Sequence, residues 1–148
     1  MPRWRGFDNP FGDIFTNLDG IIIQEDAEEN TLTVYTTTDP NNYGDDESAK
    51  NAMEIAGHET KEDGYTKEFD LGEAAHIIPE SVGGDTTKYK CDYHDTSNNT
   101  SLRTLIMGGN AYSGARAGLG CFSSNDVVSD SWMSIGFRPV STFVSFSE

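Results

Sequence analysis

The sequence predicts an α+β domain with short helices, a small antiparallel sheet and long irregular loops. Three observations carry that prediction. Runs rich in β-branched residues, Ile21-Ile22-Ile23 and Leu32-Thr33-Val34-Tyr35-Thr36-Thr37, read as strands. Residues 47–55 can form a short amphipathic helix. Residues 108–120 are dominated by Gly, Ala and Ser, a composition that builds little core of its own.

Taken in order, residues 4–23 set aromatic and apolar side chains among Gly6, Asn9-Pro10, Gly12 and Asp19-Gly20, which is too punctuated for one long helix and fits short elements and turns. The two β-branched runs form a hairpin through the acidic segment 24–30. Residues 39–46 are a loop by composition, followed by the helix over 47–55. Residues 64–69 alternate like a strand. Residues 71–78, before Pro79, fit either a helical turn or a strand, and Gly83-Gly84-Asp85 reads as a turn. A strand is expected over residues 86–94, a polar loop over 95–100, and a buried strand over the apolar run 102–107. Strand character returns in residues 134–138 and 141–146, split by Pro139. No internal repeat is present, and one domain over residues 1–148 is expected.

The charge distribution bounds the partners. The formal net charge is −15, from 25 acidic and 10 basic residues. Such a chain repels nucleic-acid backbones and anionic membranes, so no nucleic-acid partner is expected. No apolar run reaches the roughly 18 residues of a membrane span, and the start lacks the apolar stretch of a signal peptide, so no membrane insertion and synthesis in a cytoplasm are expected. Acids crowd residues 24–30, 39–47 and 54–70, whereas residues 101–144 carry few charges. The acidic part reads as a solvated face.

Motifs for catalysis or metal binding are missing from the sequence. No Ser lies in a GxSxG elbow, and the three histidines, His58, His76 and His94, stand alone. Asp39-x-Asn41-x-Tyr43-Gly44 begins like a calcium loop but has Tyr43 at its fifth position and Lys50 where the bidentate Glu belongs. Gly108-Gly109 is followed by no Gly-Lys-Ser/Thr. Cys91 and Cys121 lack CxxC spacing and read as small buried or half-buried thiols, with a bridge allowed if the domain works outside a cell. No catalytic residue, metal or cofactor is therefore assigned, and the chain is expected not to be an enzyme. Between the apolar runs, residues 110–134 set Tyr112, Arg116, Asn125, Asp126, Asp130 and Trp132 among small residues, the mixture of adaptable binding surfaces. An irregular Gly-rich loop without a partner fits the same composition.

The segment Leu105-Ile106-Met107-Gly108-Gly109-Asn110-Ala111 through Ser134-Ile135-Gly136-Phe137-Arg138 resembles the GGxW…GFR ending of C-type-lectin-like domains related to formylglycine-generating enzymes. The opening Trp4-Arg5-Gly6-Phe7-Asp8-Asn9-Pro10-Phe11-Gly12-Asp13-Ile14-Phe15, with Leu18-Asp19-Gly20-Ile21, is similar to a segment common in phage tail and tail-fibre proteins of that fold. The ending also resembles variable proteins of diversity-generating retroelements. Asn110-Ala111 departs from the Ser-Trp that usually follows the glycines. What the resemblance implies is a C-type-lectin-like fold whose display set is drawn from Asn110, Tyr112, Ser113, Arg116, Ser123, Asn125, Asp126, Ser129, Asp130, Trp132 and Met133.

On that reading the chain is a non-catalytic receptor-binding domain of a virion tail or fibre. It would be made in the bacterial host cytoplasm and would recognise a bacterial surface protein or glycan through residues 110–134. Contact with other virion proteins and homo-oligomerisation are compatible with it. Two alternatives stay open: a virion assembly module that meets no receptor, and an oxidase like the formylglycine-generating enzymes, for which Cys91 and Cys121 are the only candidate pair. The calcium-lectin tripeptides EPN and QPD and the WND motif are absent from the sequence, so no calcium-bridged sugar site is expected.

Overall fold

The computed structural model describes residues 3–4, 7–8, 11–26, 31–72, 77–89, 92–97, 100–118 and 120–136. The expected strand over 141–146, the Phe137-Arg138 end of the closing motif, His76 and Cys91 lie outside the described residues. Two short strands, β1 (Arg3–Trp4) and β2 (Phe7–Asp8), pair antiparallel at the start. The other strands are β3 (Phe15–Asp26), β4 (Thr31–Thr36), β5 (Glu54–Glu59), β6 (Gly64–Leu71), β7 (Ile77–Val82), β8 (Tyr93–Thr96), β9 (Arg103–Met107), β10 (Phe122–Ser124) and β11 (Ile135–Gly136). They form one sheet in the order β5-β4-β3-β9-β10-β8-β6-β7, with β11 also paired to β3.

This architecture overturns the expected α+β, C-type-lectin-like fold with a small antiparallel sheet. About 50% of the chain is strand and about 10% helix, and the sheet is mixed and nearly closed. Its two end strands approach each other: the Thr60 amide, just past β5, donates to the Pro79 carbonyl of β7 at 3.0 Å. A Cβ on Gly72 would stand only 2.4 Å from the Ala56 carbonyl oxygen, so glycine is what allows that approach. Pro79 is tolerated because β7 ends the hydrogen-bonded order.

Two irregularities explain why local patterns understated the sheet. Strand β3 runs through Asp19-Gly20 rather than turning there, because a bulge between Leu18 and Ile22 absorbs the extra residues opposite β9. Gly20 takes φ +79°, and Thr36 Oγ1 and the Thr37 amide both donate to its carbonyl, at 3.2 and 3.0 Å. The expected helix over 47–55 is shorter than its pattern: α1 (Glu47–Asn51) is capped by Asp46, whose carboxylate accepts from the Ala49 amide at 2.8 Å. From Glu54 the chain becomes β5, paired with β4.

The pairing of the two expected strands agrees with expectation, although β3 takes in residues 24–26 of the expected connection and pairs Asp26 with Thr31. So does the strand over 102–107, seen as β9. The strand expected over 86–94 is displaced: residues 86–87 are turn, and β8 takes in Asp95 and Thr96 from the expected loop. Two parallel pairings, β10 with β8 and β11 with β3, complete the sheet. The apolar core inside the curl is Ile23, Leu32, Val34, Ala56 and Ile78, with Ile21 and Leu105 packed against it.

Candidate functional site

The Gly108-Gly109 pair sets the geometry of the candidate site. Both take positive φ, +95° and +71°, and a Cβ on Gly109 would lie 2.8 Å from Ala117 Cα. The chain therefore folds back after β9. The Gly12 amide donates to the Gly108 carbonyl at 3.0 Å, and the Ala111 amide to the Asp13 carbonyl at 3.1 Å. On the other side of the same support, the Phe15 amide donates to the Ser134 carbonyl at 2.8 Å. Segment 13–15 thus carries residues 110–112 and residues 132–135 together.

Four of the nine exposed large apolar side chains among the described residues lie on these segments. Tyr112 is 96% exposed, Trp132 59% and Met133 fully so, and Ile14 of the supporting segment is also exposed. Beside them opens a cleft of about 280 Å³. Asn110, Tyr112, Ser113 and Arg116 line it from the loop, Ser123 and Phe122 from β10, Tyr93 and Asp95 from β8, and Phe15 and Cys121 complete it.

The expected display set divides on this map. Asn110, Tyr112, Ser113, Arg116 and Ser123 come together at the cleft. Asn110 and Ser113 are largely committed to one another: Asn110 Oδ1 accepts from Ser113 Oγ at 3.1 Å and from the Tyr112 amide at 3.0 Å, while Ser113 Oγ accepts from the Asn110 amide at 2.9 Å. Their role is to hold Tyr112 outward at the head of the 3-10 turn Gly114–Arg116. Arg116 lies over the Tyr93 ring, 4.3 Å from its centroid. Ser123 is buried and bonds the Asp95 carboxyl.

Asn125, Asp126, Ser129, Asp130, Trp132 and Met133 do not line the cleft. The Trp132 side chain bonds Asp126, and Asp130 accepts from the Val127 amide at 3.2 Å, so this second group forms its own turn-rich ledge. Five cleft residues lie outside the expected display set: Phe15, Tyr93, Asp95, Cys121 and Phe122. The available signal was Tyr93-x-Asp95, two residues apart and hence on one face of a strand.

Burial dominates the electrostatics of the cleft. It pushes the Asp95 carboxyl above its ordinary range, the Asp63 charge adds to this, and His94, Arg116 and the Ser123 bond only partly oppose it. Asp92 is raised by burial against a bond from the Gly120 amide. Cys121 is a free thiol pushed up to about 11 by burial, with the Asp92 and Asp95 charges adding to it. A thiol at that value is ionised on the order of one part in ten thousand near neutrality, the reverse of an activated nucleophile.

Behind the cleft, inside the sheet, lies a second polar group. Arg103 is fully buried, and its Nη1 donates to Thr96 Oγ1 at 3.1 Å, the Ser97 carbonyl at 2.5 Å and the Ser124 carbonyl at 3.2 Å. Ser124 Oγ donates to Glu59 Oε1 at 2.6 Å, and His94 Nε2 stands 3.7 Å from the same oxygen. Burial alone lowers the His94 pKa, but Glu59, the Glu62 carbonyl and the Asp63 charge outweigh it and leave the pKa raised. Glu59, His94 and Ser124 are buried at 4% exposure or less. Among the described residues no cluster of His, Cys, Asp and Glu is arranged to hold a metal ion. No family model matches the chain, and neither a curated protein nor a solved structure matches it.

Proposed function

We propose that this domain is a non-catalytic recognition module that holds a bacterial surface protein or glycan on the face around Tyr112, as the adhesive part of a phage tail fibre. The observation that carries the recognition reading is the convergence of Tyr112, Trp132, Met133 and Ile14, all exposed, on the single support of residues 13–15. Exposed aromatics on backbone segments already fixed by hydrogen bonds have less conformational entropy to lose when a partner arrives. The adjoining cleft supplies a carboxyl, a guanidinium and tyrosine rings, which suits a ligand that is part ring face and part hydroxyl. The fibre setting rests on the sequence resemblance of the opening and closing segments alone, because the fold departs from the one that resemblance implies. Several copies on one particle would turn modest single-site affinity into firm adhesion.

The test is adsorption of the full chain to bacterial envelopes, separated into a polysaccharide fraction and a membrane-protein fraction. Binding to either fraction that is lost in the Tyr112→Ala/Trp132→Ala double variant, with the melting temperature almost unchanged, supports the reading and tells glycan from protein. Assembly of the isolated chain into oligomers through this face, abolished by the same variant, would favour the virion assembly role instead.

A further inference from the structure

Against the inner face of the nearly closed sheet lies a partly open hollow of about 260 Å³, which shares only Phe122 among its lining residues with the recognition cleft. Its walls are apolar and come from five strands: Ile23 of β3, Val34 of β4, Ile78 of β7, Leu105 of β9 and Phe122 of β10. Among the residues lining it, Glu59 is the only titratable one.

Glu59 is directed inward by its strand. In β5 a bulge places Val34 opposite Gly57 and Tyr35 opposite Ile55, so Ala56 and Glu59 are both buried while His58 is exposed. A buried carboxylate is costly unless hydrogen-bonded donors or cations face it. Its contacts with Ser124 and His94 all fall on Oε1, so among the described residues the second carboxylate oxygen carries no contact. Two nitrogens of Arg103, Nε and Nη2, and His94 Nε2 are fully buried without a hydrogen-bond partner, whereas Glu59 Oε2 is not among such atoms. Arg103 does not line the cavity; its only liganding guanidinium nitrogen is turned to Thr96, Ser97 and Ser124. The cavity therefore offers a ligand an apolar body site ending at one acceptor.

We propose that this cavity is a small-molecule site for a short amphiphile with an unbranched or ring-like hydrocarbon body and a hydrogen-bond-donating, preferably cationic, head that meets Glu59. The hydrocarbon replaces water or empty space along Ile23, Val34, Ile78 and Leu105. The head satisfies the carboxylate oxygen that the protein leaves open. A carboxylate head is disfavoured because it would meet Glu59 charge against charge.

The experiment is a titration of the full chain, labelled with nitrogen-15 and with carbon-13 at isoleucine, leucine and valine methyls, with n-hexylamine, n-hexanol and n-hexanoate. Expected are saturable methyl shifts at Ile23, Val34, Ile78 and Leu105 with the amine, weaker binding of the alcohol by about tenfold, the lower end for a hydrogen bond to a charged group, and none of the carboxylate. Glu59→Gln should remove the preference for amine over alcohol while leaving alcohol binding in place. Should that variant lose its native amide spectrum, Leu105→Phe, which fills the cavity from a wall, gives the second reading: it should weaken amine and alcohol alike. Absence of saturable shifts at the cavity methyls for all three probes, shifts unaffected by Leu105→Phe, or tighter binding of the carboxylate each overturns the proposal.

Discussion

Removal of the Arg103 charge tests how the interior is held. Arg103→Met keeps an unbranched stem of similar reach but deletes three hydrogen bonds, to Thr96, Ser97 and Ser124, and the cation that faces Glu59 from across Ser124. Losing three charge-assisted hydrogen bonds and the cationic field that steadies Glu59 costs about 3–5 kcal/mol. Part of that is returned, since Nε and Nη2 are buried without partners and their desolvation vanishes with them. A net loss of about 3 kcal/mol follows, which lowers the urea midpoint by roughly 1–2 M at the slope usual for a domain of this size. Glu59→Gln alone should cost a similar amount. The double variant Arg103→Met/Glu59→Gln should cost clearly less than the two single losses added, because neither charge then remains unbalanced. Urea unfolding followed by tryptophan fluorescence measures all four proteins. Strictly additive losses, or an Arg103→Met protein within about 0.5 kcal/mol of the parent, would refute the claim that these side chains form one coupled network.

Three further outcomes follow from the same geometry. Gly20→Ala should destabilise by about 2–3 kcal/mol and lower Tm by roughly 5–10 °C, since its φ is +79° and the new Cβ would meet Tyr43 at 2.7 Å and the Thr37 carbonyl at 2.8 Å; thermal unfolding with no change in Tm would contradict the bulge. Stability should fall as pH rises above 6.5: His94, with its raised pKa, contributes fully below the unfolded value of 6.5 and loses that contribution as pH climbs through the higher folded value. The raised carboxyls of Asp92, Asp95 and Asp126 act with the same sign at lower pH, and His94→Gln should flatten the fall near neutrality, as unfolding midpoints at several pH values will reveal. In a Cys91→Ser background, iodoacetamide should label Cys121 in the native chain about a hundredfold more slowly than in urea, matching a rise from 9.0 to about 11; rapid native labelling would instead reopen the oxidase alternative.

What could be read from the sequence was what local patterns decide. The β3–β4 hairpin was legible because both strands are rich in β-branched residues and the acidic segment between them has no other use. The cleft half of residues 110–123 was legible because Tyr112 and Arg116 are the large side chains in a stretch of small ones. The fold class was not legible, since it depends on events that no window contains. Asp19-Gly20 reads as a turn, and only pairing with β9 on one side and β4 on the other makes it a bulge within a twelve-residue strand. Alternation along β5 would bury Ala56 with His58, but the bulge opposite Val34 shifts the parity and buries Glu59 instead. Arg103 was hidden inside an apolar run, and its partners on β8 and β10 arrive through a parallel pairing that the sequence does not announce.

The two faces of that parallel pair connect the surface to the interior. Along β8, Tyr93 and Asp95 face the cleft, whereas His94 and Thr96 are buried inside. Along β10, Ser123 bonds Asp95 on the cleft side and Ser124 bonds Glu59 and Thr96 on the other. A slip of β8 by one residue would therefore put the Asp95 carboxylate beside Glu59 and leave His94 in the cleft, trading an attraction for a repulsion. The interior network thus fixes the register that presents Tyr93 and Asp95 outward. Among the described residues, Phe122, which lines both the cleft and the cavity, is the one through which a change in the filling of the interior would be felt directly at the recognition face.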